Sequence, residues 1–164
     1  MASVTPQPQD RQQTPPPADT TDGLQLDLQV CFAVHATARA FDRAYRRLLA
    51  ELGLTYPQYL AMMALWEHGE LPVKRLGELL RLDSGTLSPL LKRLEAAGLV
   101  RRERSPQDER SVIIHLTAEG RALRSPAERV PYGIAAASGL THAEGAELRR
   151  RLEELTANLD EFAG

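Results

Sequence analysis

Cys31 is the sole cysteine among the 164 residues. A lone thiol closes no intrachain disulfide and builds no multi-thiolate metal site. Two uses stay open for it. It packs as a small hydrophobe beside Leu28, Phe32 and His35, the commoner fate of such a residue. Or it works as a redox-sensing thiolate, which needs hydrogen-bond donors or positive charge beside the sulfur. Tyr45 lies fourteen residues further on, on nearly the same face of one helix but roughly 21 Å along its axis. Within a chain the two cannot touch. Across a two-fold dimer with antiparallel first helices, Tyr45 of one subunit could reach Cys31 of the other. The plainer reading makes Tyr45 and Tyr56 core aromatics with hydroxyls at a wet rim.

A second chemistry is carried by charge. Residues 72–116 hold nine Lys/Arg (Lys74, Arg75, Arg81, Lys92, Arg93, Arg101, Arg102, Arg104, Arg110) against six acids. The whole chain is at −2, so the remainder carries a net −5 and the positive field is local. Asp83-Ser84 caps a helix whose Leu87, Leu90, Leu91 and Leu94 share one face. Its other face carries Thr86, Ser88, Pro89, Lys92 and Arg93. Small hydroxyl residues near the start suit base edges, and cations further on suit phosphate or guanine. Pro89 is awkward there, since an interior proline removes one backbone bond. A polar turn at 105–110 follows, and Arg110 at its tip could enter a minor groove with Asp108 orienting it. The candidate DNA contacts are Ser84, Thr86, Ser88, Lys92, Arg93, Arg104, Asp108 and Arg110. Solvated charge on a helical bundle is the alternative.

The elements that must position these groups are mostly helical. Leu and Ala supply 48 residues and Val and Ile ten, which favours helix over sheet. Apolar residues from Leu28 to Leu52 recur at helical steps, predicting a first helix over 24–52 closed by Gly53. Thr55 and Gln58 form a capping box for a second helix at 56–68. A third helix begins at Pro72 and buries Leu76, Leu79 and Leu80. The fourth runs to Ala97. Two β-rich runs, 99–104 and 111–116, then make a hairpin. Thr117 caps a fifth helix broken near Pro126 and Pro131. A second capping box, Thr141 with Glu144, opens a last helix with an apolar seam from Leu148 to Phe162. The fold class is mainly α with a small β-hairpin, a winged helix-turn-helix flanked by N- and C-terminal dimerisation helices.

Residues 1–23 hold five prolines and no aromatic residue, too little apolar surface to offset ordering, so a disordered tail is expected. The domain is placed at 24–164, with a DNA-binding lobe at about 56–116 and dimerisation helices at about 24–52 and 117–162. No apolar run is long enough for a bilayer and no secretory signal is visible. A cytoplasmic protein without metal or cofactor is expected.

Three stretches carry a family resemblance: Leu54-Thr55-Tyr56-Pro57-Gln58-Tyr59-Leu60, the run from Leu82-Asp83-Ser84-Gly85-Thr86-Leu87 to Glu95, and Asp108-Glu109-Arg110-Ser111-Val112. They resemble the MarR-family repressors and, within them, the organic hydroperoxide resistance regulators of the one-cysteine type. The Leu-Asp-Ser-Gly-Thr-Leu stretch belongs to that branch, and Asp-x-Arg to the whole family. The resemblance covers about 28–120 and, more loosely, the last helix.

That resemblance implies a homodimeric, non-enzymatic repressor of operator DNA that is released when an organic hydroperoxide oxidises Cys31. A low-molecular-weight thiol completes the reaction. Tyr45 and Tyr56 match the tyrosines that hydrogen-bond the sulfur from the partner subunit. His35 stands where relatives commonly have tyrosine. Two other readings compete: a repressor released by a small aromatic ligand, with Cys31 as packing, and a thiol peroxidase. The peroxidase would need a resolving cysteine, and a Pro and Thr just before Cys31, which the chain lacks.

Overall fold

A computed structural model describes residues 22–106, 108 and 111–164. The expected tail up to residue 21 and the wing-tip Arg110 lie outside the described residues. The chain divides into two compact units, one ending at Ala38 and the other running Arg39–Gly164.

The first unit opens with 3-10 turns at Asp22–Leu24 and Leu26–Leu28. Gln29 is extended, and its side-chain amide donates to the carbonyls of Gly23 at 2.8 Å and Gln25 at 3.1 Å. Helix α1 therefore spans Val30–Leu48 and not 24–52. At its far end the chain tightens into a 3-10 turn, Ala50–Leu52, before Gly53. Leu24, Leu26, Leu28 and Val30 are all exposed.

In the second unit, α2 is Tyr56–His68, with the Thr55–Gln58 capping box formed. Strand β1 is Leu71–Pro72 and α3 is Val73–Leu80. Helix α4 is Ser84–Ala96, and strands β2 and β3 are Val100–Arg104 and Val112–Leu116. The expected fifth helix is three short ones, α5 Ala118–Ala122, α6 Arg124–Ala127 and α7 Arg129–Ser138. Helix α8, His142–Ala163, begins at the second capping box.

The hairpin gains a third strand. The antiparallel sheet has order β1-β3-β2, with Leu71 opposite Ile114 and Arg102 opposite Ile114 on the other side. Pro72 sits on an edge strand, where its missing N–H costs no ladder bond. It also serves as N-cap of α3, so that helix starts one residue later than expected. Leu76 is buried as predicted and Leu80 half-buried, but Leu79 is exposed.

Helix α4 runs unbroken through Pro89. Leu87, Leu90, Leu91 and Leu94 are all buried, each contributing about 1.5–3 kcal/mol of transfer free energy. Together they outweigh the ~3 kcal/mol cost of an interior proline. The carbonyl that Pro89 leaves without its helical donor belongs to Gly85, an exposed residue whose carbonyl solvent can satisfy.

Candidate functional site

Three local devices shape α4 and its approach to the wing. Asp83 caps the helix, its Oδ1 accepting from the Thr86 N–H at 2.8 Å and its Oδ2 from the Thr86 hydroxyl at 3.0 Å. Those bonds, the backbone one first, hold the Asp83 carboxyl below the usual carboxylate range. The turn before it places Arg81 in the left-handed region, φ 53°. The Arg102 N–H then donates to Glu95 Oε1 at 3.1 Å, joining β2 to the end of α4.

The outward face of α4 is as expected in composition. Ser84, Thr86, Lys92 and Arg93 are exposed, while Ser88 is half-buried. Arg104 is exposed at the end of β2. The wing closes through Ser105 N–H on the Ser111 carbonyl at 2.8 Å and Ser111 N–H on the Asp108 carbonyl at 2.9 Å. Asp108 is exposed at this turn.

Sequence reasoning missed two features here. A cleft of about 740 Å³ lies between α3, the start of α4 and the wing, with Lys74, Arg81, Asp83, Arg102 and Asp108 on its walls. At the base of the wing, His115 lies between Glu70, 2.9 Å from Nδ1, and Glu103, 3.3 Å from Nε2. The pairing of β2 and β3 sets His115 opposite Arg101 and puts Glu103 two residues further along β2, on the same face, a signal that appears only once the register is known.

The tyrosines expected to serve the thiol are together. Tyr45 and Tyr56 stack with ring centroids 4.1 Å apart and planes 23° from parallel. Both are half-buried. Burial first, then the neighbouring Tyr56 and Tyr59, pushes Tyr45 from 10.0 up to about 12. Burial and then Asp42 push Tyr56 upward as well. Both hydroxyls are therefore protonated donors at neutral pH. Cys31 and His35 lie on α1 in the first unit, both exposed. Among the described residues Cys31 is thus exposed and not a buried hydrophobe, and α1 contains no buried residue.

Helix, turn, capped helix and antiparallel wing define a winged-helix DNA-binding protein. The family described as transcriptional regulator SarA/Rot matches residues 43–125. The organic hydroperoxide resistance transcriptional regulator of Bacillus subtilis (strain 168) is 47% identical over 129 residues, covering 79% of this chain and 86% of that protein. The HTH-type transcriptional regulator TtmR of Methylorubrum extorquens (strain PA1) is 50% identical over 143 residues, 87% of this chain and 73% of that one. Among solved structures, reduced AbfR bound to DNA, from Staphylococcus epidermidis, superposes with a TM-score of 0.75 at 35% identity, covering 88% of this chain and 99% of that one. The chain belongs to the SarA/Rot/MarR-type family of transcriptional regulators, in its organic hydroperoxide resistance branch.

Proposed function

We propose that the protein is a redox-sensing repressor that binds operator DNA as a homodimer and is released when an organic hydroperoxide oxidises Cys31. The observation that carries this is an exposed, solitary thiol in a chain 47% identical to a regulator of organic hydroperoxide resistance.

The chemistry balances. The Cys31 thiolate attacks the terminal peroxide oxygen, the O–O bond breaks, and the alkoxide leaves and takes up a proton as the alcohol. Sulfur, oxidised by two electrons, is now a sulfenic acid. A low-molecular-weight thiol attacks it, forming a mixed disulfide and water. Tyr45 and Tyr56 of the partner subunit donate hydrogen bonds to the sulfur, a role for which their protonated hydroxyls are suited. His35, one turn after Cys31, faces the same chemistry. A hydroperoxide-plus-thiol turnover assay separates the two readings: one oxidation per subunit identifies a sensor, and repeated turnover a peroxidase.

On the DNA side, Ser84, Thr86 and Ser88 approach base edges and Lys92, Arg93 and Arg104 meet phosphate. Arg110, oriented by Asp108, takes the minor groove. Residues 24–52 and 117–162 supply the dimer contacts, and 56–116 the DNA-binding lobe. The proposed repressor works in the cytoplasm.

The test is operator binding before and after cumene hydroperoxide plus a small thiol, with Cys31→Ser alongside. The wild type should lose operator affinity and Cys31→Ser should keep it. Equal loss in both, or release only by a phenolic ligand, refutes the sensor.

A further inference from the structure

A run of ring contacts leads from the tyrosine pair to the base of the wing. Tyr59, buried in α2, lies 6.1 Å from Tyr45 and 6.2 Å from Trp66, meeting the indole edge-on at 67°. Trp66 is the sole tryptophan of the chain. Its Nε1–H donates to the Gly120 carbonyl at 2.9 Å, across 54 residues of sequence.

Gly120 is a tightly held acceptor. A Cβ there would fall 2.0 Å from the Leu99 carbonyl oxygen and 3.3 Å from Leu116 Cδ2, so the first turn of α5 rests backbone against backbone on the wing. Thr117 ties the same place together. Its hydroxyl donates to the Gly98 carbonyl at 2.6 Å and accepts from the Gly120 N–H at 2.9 Å. Its own N–H donates to the Leu99 carbonyl at 3.1 Å. The turn that ends α4, the strands of the wing and the start of α5 meet there. A half-buried indole N–H is costly to leave without its acceptor, and close-packed rings transmit displacement. A shift of the ring would therefore strain its bond to the wing base.

We propose that Trp66 is the positioning residue through which the state of the Tyr45–Tyr56 pair sets the wing, acting by its hydrogen bond to Gly120. The inference rests on the peroxide-sensing reading above, and supplies the link from sensor to DNA-binding face that such a reading requires. A purely structural Trp66 would stabilise the fold without affecting the difference between the reduced and oxidised proteins.

Trp66 itself provides the readout. In wild-type protein on labelled operator, cumene hydroperoxide with a small thiol should change the indole emission at the rate of operator release. Cys31→Ser should show neither change. Trp66→Phe keeps a ring against Tyr59 and removes the N–H. Its Cys31 should oxidise at the wild-type rate by mass spectrometry, while the loss of operator affinity on oxidation shrinks by about tenfold. Indole emission that stays constant through operator release in the wild type overturns the proposal, and does so even if Trp66→Phe fails to fold. So does a Trp66→Phe protein whose operator affinity falls on oxidation by the full wild-type factor. A wild-type protein that holds its operator with Cys31 fully oxidised overturns the sensing reading and this inference with it, and that result needs no Trp66 variant.

Discussion

Tyr45 and Tyr56 stack at 4.1 Å, from the end of α1 and the first residue of α2, and Tyr56 adds to the burial that keeps the Tyr45 hydroxyl protonated. The shift has a consequence for stability. Tyr45 titrates at 10.0 when free and at about 12 in the fold, so above the lower value the unfolded chain gives up a proton that the folded chain retains. Its contribution is fully present below pH 10.0 and is lost as pH rises to about 12. Thermal melts across that window should show falling stability, and Tyr45→Phe should flatten the fall. A Tyr45→Phe protein whose melting curve keeps the wild-type alkaline slope would show that the buried hydroxyl is not its source.

Gly120→Ala should be strongly destabilising. The added carbon meets a backbone oxygen at 2.0 Å, which cannot swing aside as a side-chain end can. Overpacking of this kind costs about 1–3 kcal/mol, occasionally more. Denaturant unfolding is the measurement, and a variant as stable as the wild type would mean that α5 and the wing are not in backbone contact.

These residues show which parts of the molecule could be read from the chain alone. The two capping boxes and the four buried leucines of α4 were legible because a partner three or four residues away decides them. Strand β1 was not, because two residues have no period and their pairing is with Ile113 and Ile114, far along the chain. Trp66 reads as one more core aromatic until its acceptor at Gly120 is known. The start of α1 was misjudged for a related reason: leucines at 24 and 28 keep the helical spacing, but the Gln29 side chain satisfies the carbonyls of Gly23 and Gln25 instead. The candidate site was legible in part. Tyr45 and Tyr56 were matched to one role and are stacked together, whereas the cleft beside Arg102 depends on how α3, α4 and the wing assemble.

The protein should be a dimer at micromolar concentration. Leu148, Leu152, Leu159 and Phe162 line up along α8 and all are exposed on the single chain, as are Val34 and Phe41 on α1. Two such seams call for a second copy. Sedimentation should give twice the chain mass, and Leu152→Glu with Leu159→Glu should shift it to the monomer. A wild type that sediments as a monomer refutes the assembly.

Operator binding should separate two arginine and lysine roles. The site should be pseudo-palindromic, with half-sites about one helical turn apart. Arg110→Ala should weaken binding and relax the preference for a narrow, A·T-rich minor groove. Lys92→Ala should weaken all sequences alike and reduce the salt slope by about one ion. Titrations at several salt concentrations distinguish them, and unchanged affinity in Arg110→Ala would remove the wing from the interface.

The sharpest expectation concerns which subunit serves the thiol. Fourteen residues separate Cys31 from Tyr45, and at helical rise that is roughly 21 Å, beyond any hydrogen bond. In the proposed dimer, help from Tyr45 is expected to come from the partner subunit. Tyr45→Phe in both subunits should slow oxidation of Cys31 while the reduced protein still binds operator. A mixed dimer isolates the geometry: one subunit carries Cys31→Ser, and the other keeps Cys31 but carries Tyr45→Phe. The surviving thiol then faces the intact Tyr45 of the partner subunit and should react at the wild-type rate with cumene hydroperoxide. The reciprocal dimer places Cys31→Ser and Tyr45→Phe together on one subunit, so that its surviving thiol faces Phe and should react as slowly as the Tyr45→Phe homodimer. If the two mixed dimers exchange those rates, the tyrosine acts within its own chain. If both react alike, Tyr45 does not assist the thiol, and the stacked pair serves only to pack α1 against α2.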